Sequence, residues 1–188
     1  LSVRQVTVLR GYAAYLRQAG IVYSLGYISE TLNKYPAIAR LLFDLFQNTF
    51  DPKLDDRKRR RRLTDGGTQI DEALDKVPSL DEDRILRRYR NAIEATLRTN
   101  YFQRGADGQP NPMLAFKFNP AKLEGLPEPR PFREMFVFGV TVEGVHLRFG
   151  KVARGGLRWS DRAQDYRTEV LGLVKAQQVK NAVIVPVG

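Results

Sequence analysis

Residues 154–188 read RGGLRWSDRAQDYRTEVLGLVKAQQVKNAVIVPVG, and the rest of the chain is best understood from this stretch. A double glycine, Gly155-Gly156, opens it and permits backbone geometries closed to other residues. The spacing then predicts a helix over 165–179, with Tyr166, Glu169, Val170, Leu173, Gln177 and Lys180 gathering on one side at about 100° per residue. Residues 181–186, NAVIVP, read as a short buried strand. Cations stand at the turn (Arg154, Arg158) and at the helix end (Lys175, Lys180). Burying an unpaired ammonium is expensive, so a Lys on the edge of a packed face implies a carboxylate partner, a cavity, or escape of its tip to water. Arg154 and Lys180 therefore have two readings. They form a pocket for a small dianion, or they are two surface cations beside a turn and a helix terminus, the latter favoured by the helix dipole.

Working back towards the N-terminus, residues 136–142 and 145–149 alternate like strands, with Glu143-Gly144 as a two-residue hairpin signal. Residues 113–118, MLAFKF, form another strand, and 105–112 is a turn-rich connection. The single His146 alternates with Val145 and Leu147 and reads as a strand-face residue, because a metal ligand needs partners. The first hundred residues are helical in pattern. Val6, Leu9, Tyr12, Ala13 and Leu16 mark one helix, with Gly20 as its stop. Ser24 or Ser29 opens a second helix, and Pro36 sits in the first turn of a third. Ser79 and Glu82 have capping-box spacing before a helix expected to run to about Thr99, with Leu97 inward. Residues 51–67 read as an exposed loop ending in Gly66-Gly67, followed by a short helix over 69–77. The fold class expected is α+β: a helical region over 1–104, then strands and the opening helix–strand unit of an α/β substrate domain over 105–188.

Net charge is +10, from 31 Lys and Arg against 21 Asp and Glu. Such an excess favours anionic partners, and residues 57–62, RKRRRR, concentrate it. One function class is then a basic nucleic-acid-binding or scaffold module, with Tyr12, Tyr15, Tyr23, Tyr27, Tyr35, Phe43, Phe46 and Phe50 as a base-stacking platform. The helical spacing of these aromatics favours a bundle core instead. The basic run equally reads as a solvated loop or helix start paired with Asp55, Asp56 and Asp65. Cysteine is absent, which removes thiolate metal sites and disulfides and fits a reducing compartment. No apolar run approaches the roughly 18 residues of a membrane span. The opening residues carry neither a secretory leader nor an initiator Met, so a fragment is expected.

The runs RGGLRWSDR and DYRTEVLGLVKAQQVKNAVIVPVG resemble the start of the catalytic domain of glutamate dehydrogenases, above all the large NAD-specific bacterial class with its long helical N-terminal region. The likeness is specific over residues 136–188 and looser before them. It implies a parent enzyme that oxidatively deaminates L-glutamate to 2-oxoglutarate and ammonia with NAD, cytoplasmic and homo-oligomeric. In the family's K-G-G-[IL]-R motif the Lys meets the side-chain carboxylate of glutamate. Arg154 stands at that position and keeps the charge as a planar fork rather than a point charge. Gly155 and Gly156 match the glycines beside the substrate, and Lys180 matches the Lys that holds the α-carboxylate. The family's catalytic Lys follows in A-K-G-G, so the resemblance implies that it and the NAD domain lie beyond Gly188, and that this stretch is inactive alone.

Overall fold

A computed structural model of the chain describes residues 1–150 and 165–177. Five helices precede a four-stranded antiparallel sheet, and one further helix is described after it, the α+β organisation expected. The helices are α1 Val3–Gln18, α2 Leu25–Lys34, α3 Pro36–Phe50, α4 Asp56–Leu74, α5 Leu80–Ala95 and α6 Tyr166–Gln177. The strands are β1 Thr96–Thr99, β2 Leu114–Phe118, β3 Arg133–Phe138 and β4 Glu143–Arg148, in spatial order β1-β2-β3-β4.

Local chemistry explains most helix ends. Ser2 caps α1 in a full capping box with Gln5, and Gly20, with φ of 94°, follows its C-cap. Ser24 accepts from the Tyr27 amide at the head of α2, and Pro36 opens α3. Ser79 accepts from the Glu82 amide, but the Glu82 side chain does not reach back to complete a box. It instead accepts from Lys34 Nζ at 2.7 Å and Tyr35 Oη at 2.6 Å, tying the α2–α3 corner to α5. Lys34, first, and then Tyr35 hold the Glu82 carboxyl below its ordinary range.

Three expectations are corrected. Residues 56–67 of the expected loop and the start of the expected short helix form one helix, α4, which passes through Gly66-Gly67 and ends at Leu74. Arg and Lys are good helix formers. Asp55 caps the helix, and Lys58–Asp55, Arg59–Asp56 and Arg61–Asp65 pair along it. Buried Ile70 and Leu74 dock its far half, and Arg90 of α5 pairs with Asp71. This packing outweighs the roughly 1 kcal/mol that each interior glycine costs. Nothing lies within 4 Å of a Cβ built on Gly66. Gly66→Ala is therefore expected to stabilise α4 by about 1 kcal/mol, read as slower amide hydrogen exchange along the helix.

The second correction is at the end of α5. The helix stops at Ala95, where Thr96 Oγ1 bonds the Ala92 carbonyl oxygen and shares a hydrogen bond with Tyr12 Oη, both at 2.8 Å. Residues 96–99 become β1 and pair with β2, and Leu97 is 42% exposed, not inward. The third concerns the β3–β4 hairpin. Its turn is residues 139–142, closed by the Gly139 amide to the Val142 carbonyl at 2.9 Å, while Glu143 and Gly144 lie in β4 opposite Phe138 and Val137. Val140 is fully exposed at the tip.

The core lies between the helices and one face of the sheet. Leu114, Phe116 and Phe118 of β2, Glu134 and Phe136 of β3, and Val145 and Leu147 of β4 are buried on that face. Helix α1 crosses it closely. A Cβ on Gly11 would stand 3.0 Å from the Phe116 ring, so glycine lets the helix sit against the strand. Tyr15 stacks on Phe118 at 4.0 Å, and Tyr12 packs against Phe46, Phe116 and Phe118. Of the eight aromatics, Tyr12, Tyr15, Phe43 and Phe46 are fully buried in the core, as their helical spacing favoured, while Tyr23, Tyr27, Tyr35 and Phe50 pack against it partly buried. Val6, by contrast, is 40% exposed.

Candidate functional site

The four residues the sequence nominates for substrate, Arg154, Gly155, Gly156 and Lys180, lie outside the described residues, as do Arg158 and the strand expected over 181–186. What the structure describes is the helix between them. The packed face of α6 carries Tyr166, Arg167, Val170, Leu171 and Val174. Glu169 and Leu173, expected on that face, are half-buried at its edge. The face is thus rotated from the one expected, because it is organised on the i, i+3, i+4, i+7 row that begins at a charged residue, Arg167.

Arg167 is the residue that sequence reasoning missed. Its side chain is 2% exposed and meets Glu134, 0% exposed, in a two-pronged ion pair: Nη1 donates to Oε1, and Nη2 donates to Oε2 at 3.0 Å. Burial pushes the Arg167 pKa down, and the neighbouring Tyr15 opposes this. The guanidinium nonetheless stays charged, since arginine does not lose its proton in proteins. The Tyr15 and Tyr166 hydroxyls and Arg167 Nε are buried with no hydrogen-bond partner among the described residues. Burial raises the pKa of both tyrosines, so they are neutral donors at any physiological pH. Glu143, half-buried and acting on Tyr166, is also raised by desolvation. A signal was present: Glu134 and Phe136 alternate inward, so a strand begun at Arg133 rather than Phe136 puts a carboxylate on the core face. A buried carboxylate requires a cation.

His146 sits on β4 opposite Met135 and on the face away from Val145 and Leu147. Burial, and then Arg148, lower its pKa, so it is neutral at pH 7. Among the described residues no group of three or more His, Asp or Glu is arranged to hold a metal ion, and no helix is long and apolar enough to cross a membrane. An open groove of about 630 Å³ lies among α1, α2, α3 and α5, lined by Leu1, Leu9, Arg10, Leu32 and Tyr89. It draws no residue from α6. The cations of α4 are partly spent within the fold: besides its ion pair, Arg59 donates to the carbonyls of Asp51 and Leu54. The described sheet is antiparallel throughout, so the parallel-sheet, glycine-rich strand-to-helix turn of the Rossmann type is not found among the described residues.

Comparison with known proteins gives this geometry a family. Residues 69–188 match the family described as bacterial NAD-glutamate dehydrogenase, catalytic domain, and residues 1–52 match glutamate dehydrogenase, helical motif 3. The chain is 54% identical to the NAD-specific glutamate dehydrogenase of Halomonas elongata over 188 residues, which is 100% of this chain and 12% of that protein. The enzyme of the same name from Pseudomonas aeruginosa is 54% identical over 98% of the chain, and that from Mycobacterium tuberculosis 53% over 100%, again covering 12% of each protein. The chain thus spans about an eighth of the length of the relatives it matches. With the catalytic-domain match taking in β1 through α6 and the helical motif taking in α1 through α3, the chain belongs to the bacterial NAD-glutamate dehydrogenases.

Proposed function

We propose that this chain supplies the substrate-carboxylate side of an NAD-dependent glutamate dehydrogenase, which converts L-glutamate to 2-oxoglutarate and ammonia. The observation that carries the reading is the catalytic-domain match over residues 69–188, which includes Arg154-Gly155-Gly156 and Lys180. Glutamate carries two carboxylates, and two fixed cations are the economical way to hold it in one orientation. Arg154 takes the side-chain carboxylate as a planar fork, and Lys180 takes the α-carboxylate as a point charge. Gly155 and Gly156 let the substrate lie against the backbone. The catalytic Lys and the nucleotide site belong to other parts of the parent, and this chain alone turns over no substrate. The parent works in the cytoplasm as a homo-oligomer.

In the full-length enzyme, Lys180→Ala is expected to raise the KM for glutamate by about tenfold or more, equivalent to about 1.4 kcal/mol of lost binding. The KM for NAD stays near that of the parent. Steady-state kinetics with each substrate varied in turn reads both constants. Unchanged KM for glutamate and unchanged kcat would remove Lys180 from the site.

A further inference from the structure

We infer that the open groove among α1, α2, α3 and α5 is a binding site for an amphipathic carboxylate, an aliphatic chain whose charged head is taken by Arg10. The inference stands apart from the reading of Arg154 and Lys180.

The groove measures about 630 Å³, within the roughly 300–1,000 Å³ of small-molecule sites. Its apolar lining comes from Val6 and Leu9 of α1, Leu32 of α2, Pro36 and Ala39 of α3, and Tyr89 of α5. Val6 is 40% exposed, so this lining leaves apolar surface in water that an aliphatic chain would cover. The Tyr89 hydroxyl already donates to the Leu9 carbonyl oxygen at 3.2 Å, so this residue offers the groove its ring and no free donor. The corner between Leu32 and Pro36 is also fixed. Lys34 and Tyr35 at that corner both donate to the Glu82 carboxylate of α5. The α2–α3 side of the groove is thus held in place before a ligand arrives, which lowers the ordering cost of binding.

Charge decides the chemistry of the head. The charged side chains lining the groove are Arg10 and Arg40, and none of the lining residues is acidic. Arg40 is spent on Asp44, whose two carboxylate oxygens accept from its Nε at 3.0 Å. Among the described residues, Arg10 has no hydrogen bond or ion pair. A free guanidinium at the side of an apolar groove suits a carboxylate, which it can take in a two-pronged contact. An ammonium or a zwitterion would bring a positive charge with no acidic side chain to meet it. A sugar or nucleotide would set its hydroxyls against Leu32, Pro36 and Ala39, and desolvating them unpaired is unfavourable. An aliphatic carboxylate meets both halves of the site.

The test titrates the full-length enzyme with octanoate by isothermal titration calorimetry, and in parallel with octylamine, which has the same chain length and the opposite charge. The expected result is saturable binding of octanoate, with octylamine weaker by about tenfold or more. Arg10→Gln weakens octanoate by about tenfold, and Val6→Trp, which fills the groove from a partly exposed position, abolishes its binding. Absence of octanoate binding to the parent enzyme overturns the inference, as it would if another stretch of the parent polypeptide occupied the groove. Octanoate binding that survives both Arg10→Gln and Val6→Trp lies elsewhere and also overturns it. Binding lost in Val6→Trp but parental in Arg10→Gln, or equal affinity for octanoate and octylamine, marks an apolar cleft with no carboxylate recognition and overturns the assignment of the head. Circular dichroism checks the fold of each variant. Should either misfold, the comparison of octanoate with octylamine on the parent enzyme decides the matter.

Discussion

Arg167→Met as a single change is expected to destabilise the β3–α6 region by about 3–5 kcal/mol, the usual cost of leaving a buried charge without its partner. The carboxylate of Glu134 has no exposure to water, so its charge cannot be compensated by solvent when the guanidinium is removed. Arg167 is the ion-pair partner recorded for Glu134 in the structure, in contacts from both nitrogens of the fork. Two relaxations remain: the carboxyl takes up a proton, or α6 lifts and lets water in. The first makes the penalty shrink as pH falls, because a protonated Glu134 no longer needs a cation. The sign is therefore specific: Arg167→Met is more damaging at pH 8 than at pH 5. Native-state hydrogen exchange of the β3 and α6 amides in the full-length protein reads the opening free energy of this region directly. A loss below about 1 kcal/mol would be that of a solvated surface pair and would contradict the burial described.

Phe46→Ala is the second large effect, also about 3–5 kcal/mol. Phe46 is fully buried on α3, and its ring meets Tyr12, Phe43, Phe50, Tyr101 and Phe116, at centroid distances of 5.2 to 6.3 Å. These partners come from α1, α3, β2 and the segment after β1, so the ring ties the helical half to the sheet. Truncation removes its transfer energy and the edge-to-face contacts, and leaves a cavity that rigid neighbours cannot collapse. Phe46→Leu fills most of the space and is expected to recover more than half of the loss. Exchange rates of α1 and β2 amides measure both variants. A Phe46→Ala protein with parental protection in β2 would mean that the two halves are stabilised separately.

The two effects differ in how far they could be foreseen. Phe46 falls in a helical stripe with Ile38, Leu42 and Leu45, and its burial follows from that spacing. The burial of Arg167 does not. Its row is recognisable only after Val170, Leu171 and Val174 are seen to face the core, and an arginine at the head of such a row looks like a solvated end. Its partner stands 33 positions earlier, on a strand that begins three residues before the alternation from Phe136 predicts. The same limit explains α4. Local rules place a break at Gly66-Gly67, whereas Ile70, Leu74 and the Arg90–Asp71 pair carry the helix through by contacts with another element. It explains β1 as well, where Thr96 leaves the helix to meet the Tyr12 hydroxyl across the core.

The amino-acid order by itself determined the helical first half, the cap at Ser79 and the helix start at Pro36, the strand segments that became β2, β3 and β4, the family, and the nomination of Arg154, Gly155, Gly156 and Lys180. These rest on periodicity, on capping chemistry within a few residues, or on a motif, all of which are local. Only the tertiary structure decided where helix α5 yields to strand β1, that α4 is continuous, how the β3–β4 hairpin is registered, and which face of α6 is buried. Each of those outcomes depends on a partner distant in sequence. A charge can enter a core only when its counter-charge is already held there, and that juxtaposition is created by folding.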